Sequence, residues 1–313
     1  MFAYLIKRLV LTVPIAVAVS ALCFSLVYLA PGDPLSAVLP SDASQEAIQQ
    51  AKATYGLDKP VVVQYAIWLG HVLQGDLGQS ISTGRAVATE IGNAIGKSLV
   101  LALLASSIGF TLGAALGVIA GYAHGSPLDR LLSGIAISGV SIPHYWLGIV
   151  LVAMFSVKLN LLPAMGAGAS EVWDWERMSY MILPAVTLSA IPTGIVMRSV
   201  RALVADTLKR EFVSGLVAKG MGRAVVFRHL VKNIAPTALA VIGVQLGYLM
   251  AGSILVESVF SWPGTGLLLN NAIQQRDIPL LQGTILVLAM FFVLLNLLVD
   301  MLQPLFDPRI RRT

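Results

Sequence analysis

The stretch Glu211–Pro236, EFVSGLVAKGMGRAVVFRHLVKNIAP, is charged and lies between two long apolar segments. Gly220 and Gly222 interrupt it in the middle. On either side, apolar residues recur four positions apart, which is the spacing of one helix face. These pairs are Phe212 with Leu216, Met221 with Val225, and Val226 with Leu230. The pattern predicts two short amphipathic helices, which in a membrane protein favours a surface presented to a soluble partner.

The rest of the chain is strongly apolar. Of its 313 residues 57% are hydrophobic and 12% are charged, whereas a soluble domain carries about 25% charged residues. Six segments without Asp, Glu, Lys or Arg are long enough to cross about 30 Å of hydrocarbon as helices. They are Leu9–Ala30, Ser98–Ala123, Leu131–Val157, Met178–Met197, Ile234–Val256 and Ile278–Val299. The predicted fold class is therefore an all-α polytopic membrane protein with six transmembrane helices.

The distribution of basic residues predicts the orientation of these helices. With the N-terminus inside, six crossings place 14 of the 21 Lys and Arg residues in cytoplasmic segments. This asymmetry favours an N-in, C-in topology. It divides the chain into a first span (1–30), an external region (31–97), a transmembrane core (98–307) and a cytoplasmic tail (308–313). The stretch 211–236 then faces the cytoplasm.

The external region is too small for an enzyme domain. Two prolines in Pro31–Pro34 end the first helix. Ser44–Tyr55, followed by Gly56, and Pro60–Gly75 are each predicted to be a helix. We interpret this region as a cap on the membrane core.

Small and helix-breaking residues mark the spans. Gly109, Gly113, Gly117 and Gly121 recur every fourth residue in the second span, a stripe that predicts close helix packing in lipid. Pro143 in the third span and Pro184 and Pro192 in the fourth predict bends.

One motif resembles a nucleotide-binding loop and is rejected. Gly92–Ser98, GNAIGKS, has its glycines one residue too close for a phosphate-binding P-loop and follows no strand. We therefore predict that the chain has no ATPase site of its own. The one cysteine, Cys23, and four scattered histidines form no metal-ligand pattern. His144 either packs against other helices or contacts a transported molecule.

Charge is absent within the spans. Ion-coupled carriers keep ionisable residues in the bilayer, so uphill transport by this chain would draw its energy from a partner. Gln245, Ser253 and Glu257 fall within about a third of the fifth helix circumference and are predicted, with Ser141, to line a translocation path. The competing interpretation is that they hydrogen-bond neighbouring helices. A secondary carrier or channel and a membrane scaffold or receptor are the alternative classes.

The chain resembles the inner-membrane permease subunits of binding-protein-dependent ABC importers, in the dipeptide/oligopeptide/nickel branch. In the stretch 211–236 the matching residues are Phe212-Val213, Ala218-Lys219-Gly220, His229, Asn233 and Pro236, whereas Leu216-Val217 replaces the common Ala-Arg. Further matches, in chain order, are Pro31–Pro34, Tyr55–Pro60, Gly75–Ser80, Ser141–Pro143 with Trp146, Leu162-Pro163, Ile182–Pro184, Val256-Glu257, Phe260–Gly264, Arg276-Asp277 and Asp307–Arg312.

This resemblance implies a transport subunit of the bacterial inner membrane with a type I ABC importer fold. The implied partners are a second homologous permease, two cytoplasmic ATP-binding subunits that hold ATP and Mg²⁺, and an external substrate-binding protein, with no nucleic acid. The implied ATPase-coupling residues are Phe212, Val213, Ala218, Lys219, Gly220 and Arg223. Di- and oligopeptides are the expected cargo, and nickel or a chelated metal, glutathione and opines are the alternatives. No cofactor is expected in this chain.

Overall fold

The computed structural model describes residues 2–29, 43–55, 59–168 and 174–306. Eleven α-helices occupy most of these residues, and a π-helix, Val152–Lys158, directly continues the sixth. The helices are α1 (Phe2–Leu29), α2 (Gln45–Tyr55), α3 (Val61–Leu73), α4 (Val87–Tyr122), α5 (Pro127–Ser141), α6 (His144–Leu151), α7 (Trp175–Leu208), α8 (Glu211–Ala218), α9 (Arg223–Val259), α10 (Thr265–Gln275) and α11 (Ile278–Phe306). The predicted turn Pro31–Pro34, the helix stop at Gly56 and the tail 308–313 lie outside the described residues.

The helices that are long and apolar enough to cross a membrane lie in α4, α7, α9 and α11. A fifth candidate span is broken: α5 and the helix from His144 to Lys158 meet at an angle of 100°. The all-helical membrane fold is thus confirmed, with four or five candidate spans in the described residues. The apolar segment Val10–Ser25 lies within α1, which has 28 residues.

The chain divides into two compact units. One contains Leu99–Trp262 and the segment that begins at Leu295, and the other contains Phe2–Ser98 and Pro263–Leu294.

In the first unit, α4 and α7 pack closely along the predicted stripe of glycines. A Cβ atom at Gly113 would lie 2.8 Å from the carbonyl oxygen of Thr193, and one at Gly117 would lie 2.6 Å from that of Met197. At Gly121 it would lie 2.6 Å from Val204 Cβ. Real side chains do not approach this closely, so the absence of a side chain at these positions allows the two backbones to meet.

A cluster of buried apolar side chains stabilises the first unit beside this contact. Phe260 and Trp262 belong to it, each at most 2% exposed, together with Leu101, Met181 and Leu249. The turn that carries them requires Ser261 to adopt a left-handed conformation, with φ of 48°. The motif Phe260–Gly264 therefore inserts two aromatic side chains into the core at the end of α9.

In the second unit, a buried carboxylate holds two distant parts of the chain together. Asp277 is 1% exposed. It accepts hydrogen bonds from Ser80 Oγ at 2.5 Å, from Ser82 N at 3.0 Å and Ser82 Oγ at 2.8 Å, and from Leu280 N at 3.1 Å. Burial alone would raise the pKa of Asp277, but these hydrogen bonds outweigh burial and lower it. The two sequence motifs Gly75–Ser80 and Arg276-Asp277 thus meet in one network.

Candidate functional site

The candidate site is the segment 211–236, which contains α8 and the start of α9, and a tight turn shapes it. Two residues, Lys209 and Arg210, connect α7 to α8. After α8, Gly220 adopts a left-handed conformation with φ of 72°. Met221 N donates to Leu216 O at 3.1 Å, and Gly220 N donates to Val217 O at 2.9 Å. This pair of bonds is the Schellman motif, in which a glycine reverses the chain at a helix C-terminus.

The second helix of the segment corrects the sequence prediction. We predicted two short helices, but α9 begins at Arg223, directly after its N-cap Gly222, and continues for 37 residues through Pro236 into the fifth apolar segment. Proline removes one backbone hydrogen bond, and membrane helices tolerate this loss. The Gly220 turn therefore joins α8 to one long helix that includes the fifth apolar segment, and not to a second short helix.

The base of α9 is anchored in the first unit. Leu230 and Ile234 are buried in a cluster with Val196, Val200 and Val204 of α7. Partly buried side chains of α4, including Phe110 and Val118, pack against the same cluster. The start of α9 is therefore packed against both α7 and α4.

Most of the segment is exposed although much of it is apolar. Within 211–236, the buried side chains are Val213, Leu230 and Ile234. Phe212 is 36% exposed, Val217 60% and Met221 45%. Exposed basic residues, namely Lys219, Arg223, Arg228 and Lys232, surround this apolar surface. Exposed apolar residues that form a patch rimmed by charged residues are typical of a protein-binding surface.

Five of the six predicted coupling residues lie on this surface. Phe212, Ala218, Lys219, Gly220 and Arg223 are exposed. Val213 instead points inward and is 6% exposed. We define the five exposed residues with Val217 and Met221 as the docking face.

The predicted path residues have different environments. Gln245, Ser253 and Glu257 are buried on α9, at 4%, 0% and 0% exposure. Ser141 is exposed at the end of α5, and its hydroxyl donates to Ile137 O at 2.8 Å. Because Glu257 is fully buried within this chain, a substrate would reach its carboxylate only after the surrounding helices separate.

One polar cluster was missed by the sequence analysis. Arg201 of α7 binds the buried carboxylate of Asp129 with two nitrogens, Nε to Oδ1 and Nη2 to Oδ2, the latter at 2.7 Å. Gly125 N also donates to Asp129 Oδ2, at 2.9 Å. The only local signal was Ser126 three residues before Asp129, a helix-capping pattern; indeed Asp129 N donates to Ser126 Oγ at 3.2 Å.

The structure shows the environment of the glycine-rich motif and of the possible metal ligands. Gly92–Ser98 lies inside α4, so it forms a helix and not a phosphate-binding loop. Within the described residues, no three His, Cys, Asp or Glu side chains are grouped as metal ligands would be.

Family models match almost the whole chain. The model of the binding-protein-dependent transport system inner membrane component matches residues 113–312. The N-terminal model of the binding-protein-dependent transport system membrane components matches residues 1–115.

Relatives and solved structures agree with this match. The chain is 34% identical to a dipeptide transport system permease protein, DppB, of Alkalihalophilus pseudofirmus, over 99% of this chain and 100% of the relative. It is 36% identical to the glutathione transport system permease protein GsiC of Escherichia coli K12, over 99% of each chain. Among solved structures, the inward-facing MetNI methionine ABC transporter matches with a TM-score of 0.56 and 16% identity, over 69% of this chain and 96% of that one. This last likeness shows a common fold.

Proposed function

The chain belongs to the binding-protein-dependent transport system inner membrane components, and on that basis we propose that it imports di- and oligopeptides as one permease of an ABC importer. It is a multi-pass protein of the bacterial inner membrane and a transport subunit rather than an enzyme. Partner ATPases hydrolyse the ATP. We expect this chain to hold no cofactor itself.

The proposed assembly contains a second homologous permease, two cytoplasmic ATP-binding subunits and an external binding protein. The proposed topology has six spans with both termini inside, which places the docking face in the cytoplasm. Two cysteine variants test this topology. In a Cys23→Ala background, an impermeant thiol reagent on intact cells is expected to label a cysteine at Arg85 and to spare one at Arg223. The reverse labelling pattern would contradict the orientation.

The single observation that carries the proposed mechanism is the docking face itself. Its apolar side chains are exposed on a helix that is tied by the Gly220 turn to α9 and by two residues to α7. Closure of the two ATPases on ATP would move α8, and the anchored bases of α7 and α9 would move with it. That motion is the kind of rigid-body change by which alternating access proceeds.

The peptide substrate is supported by two relatives whose names specify dipeptide and glutathione. Glutathione is the second candidate for that reason. Both cargoes contain peptide bonds, and neither requires a metal-binding site in the permease.

The substrate test is uptake by the complete importer. The chain is expressed with the binding protein, second permease and ATPases encoded by neighbouring genes, in a bacterial host that lacks its own peptide and glutathione importers. We expect ATP-dependent uptake of labelled dipeptides, and competition by unlabelled glutathione would identify the second candidate. If the complete importer takes up neither cargo but takes up a chelated metal or an opine, the peptide assignment is wrong.

A further inference from the structure

Two buried polar atoms without a partner line one cavity in the first unit. Within the described part of the chain, His144 Nε2 and Gln245 Oε1 accept or donate no hydrogen bond. Both residues line a cavity of about 100 Å³. An unpaired polar atom that is shielded from water destabilises a protein. Two such atoms at one cavity indicate that the cavity takes a polar occupant.

The cavity lies at the break between α5 and α6. His144 is the first residue of α6, directly after the 100° bend. Gln245 and Gly252 come from α9, and Pro192 comes from α7. Tyr248, which also lines the cavity, is 66% exposed on the surface of this subunit. Broken membrane helices commonly supply the substrate contacts of transporters, because their ends carry backbone groups outside the helical hydrogen-bond ladder.

The two side-chain atoms are complementary to a peptide group. An amide oxygen such as Gln245 Oε1 accepts a hydrogen bond, and an imidazole nitrogen such as His144 Nε2 donates one when it carries the proton. A peptide group offers one N–H donor and one C=O acceptor. The N-terminus of α6 at His144 also favours a carbonyl oxygen nearby, because the first backbone N–H groups of a helix have no partner within the helix.

We propose that this cavity binds one peptide group of the translocated substrate. The substrate N–H donates to Gln245 Oε1, and His144 Nε2–H donates to the substrate C=O. This assignment rests on the proposed function, in which the cargo is a peptide. A cavity of about 100 Å³ exceeds the roughly 10–15 Å³ that one water needs, so it has room for a group larger than a single water.

The test compares a dipeptide with its analogue that is N-methylated at the peptide bond and so lacks the N–H donor. Uptake of both is measured in the complete importer with wild-type permease and with Gln245→Leu. The preference ratio is the uptake of the dipeptide divided by the uptake of its methylated analogue. The same binding protein serves the wild-type permease and Gln245→Leu, so its own preference cancels when their two ratios are compared. We expect the preference ratio to be about tenfold lower in Gln245→Leu than in the wild type, which corresponds to the loss of one hydrogen bond.

The matched control is Ser156→Ala. Ser156 Oγ is also buried without a partner in the described residues, but Ser156 does not line this cavity. Its replacement is expected to leave both uptake and preference unchanged. This result separates loss of a binding contact from mere removal of an unpaired buried atom.

A further variant fills the cavity and keeps both polar residues. A Cβ atom at Gly252 would meet only Leu188 Cδ1, at 3.8 Å, so a side chain is accommodated there. The control is Gly134→Leu, at a glycine that does not line the cavity and where a Cβ atom meets nothing within 4 Å, and it is expected to retain uptake. Gly252→Leu is expected to reduce peptide uptake at least about tenfold, while the complex still copurifies with its ATPases.

The outcomes distinguish the site from the function. Wild-type preference retained by Gln245→Leu, or undiminished uptake by Gly252→Leu, would overturn the cavity as a binding site and leave the importer assignment intact. Failure of the wild-type importer to take up any peptide would instead overturn the proposed function.

Discussion

Gly220 offers the sharpest test of how the candidate site is built. Its φ of 72° lies in the left-handed region, which costs a residue with a side chain about 1–2 kcal/mol. A Cβ atom at this position meets nothing within 4 Å, so steric overlap adds no further cost. Gly220→Ala should therefore destabilise the end of α8 by about 1–2 kcal/mol through its backbone alone.

The matched control is Gly215→Ala. Gly215 lies inside α8, and a Cβ atom there also meets nothing within 4 Å. Because alanine favours helix over glycine, this substitution should stabilise α8 by about 0.5–1 kcal/mol. The two variants thus add the same methyl group to the same short segment with opposite expected effects.

Hydrogen–deuterium exchange of the purified permease measures both effects. The amides of Lys219 and Met221 report the turn, since they donate to Gly215 O and Leu216 O. A cost of 1–2 kcal/mol corresponds to exchange that is about 5–30-fold faster in Gly220→Ala. Exchange should be slower than wild type in Gly215→Ala. Equal exchange rates in the two variants would refute the argument from the left-handed turn.

The same position predicts a functional effect. Gly220→Glu introduces both the backbone strain and a charge at the centre of the docking face. We expect it to abolish uptake while the protein still inserts in the membrane, because an unpaired charge in a buried interface is strongly destabilising. Normal uptake by Gly220→Glu would show that the docking face does not deliver the energy of ATP hydrolysis.

Three further predictions concern other parts of the chain. Gly117→Val should lower the free energy of unfolding of the purified permease by about 1–3 kcal/mol or more, because its side chain would overpack against Met197. The control Gly134→Val should lower it less, because a Cβ atom at Gly134 meets nothing within 4 Å. Equal losses in the two variants would contradict the glycine-mediated contact. Asp277→Ala should lower the free energy of unfolding by about 2 kcal/mol or more, since hydrogen bonds to a charged group are lost. Because the folded-state pKa of Asp277 is lowered, its stabilising contribution should be complete above the unfolded pKa of about 3.9 and should disappear as the pH falls through the folded pKa. Identical pH–stability profiles of the variant and the wild type would contradict this prediction. Glu257→Gln should reduce uptake of cationic or free-amine peptides more than it reduces assembly or basal ATPase activity of the complex, and a parallel loss of assembly would show that Glu257 is structural.

The sequence by itself determined the helical membrane architecture and much of the local structure of the site. Length and lack of charge in the apolar segments predicted helices that the structure confirms, because a backbone in hydrocarbon must satisfy its own hydrogen bonds. The helix predicted at Ser44–Tyr55 is observed at Gln45–Tyr55, and Gly220, one of the two glycines that interrupt the stretch 211–236, has a positive φ. Each of these features depends on residues that are neighbours in the chain, so periodicity and conformational preference suffice to predict them.

Only the tertiary structure decided which distant residues meet. Asp277 accepts hydrogen bonds from residues 195 and 197 positions away, and Asp129 binds Arg201 across 72 positions. Packing decided three further features. His144 and Gln245 line one cavity, Glu257 is buried, and α9 continues from the stretch 211–236 into a candidate span. A hydrophobic pattern shows which face of a helix is apolar, but it does not show which other helix that face contacts. Partners for buried polar groups are fixed only when the helices pack together.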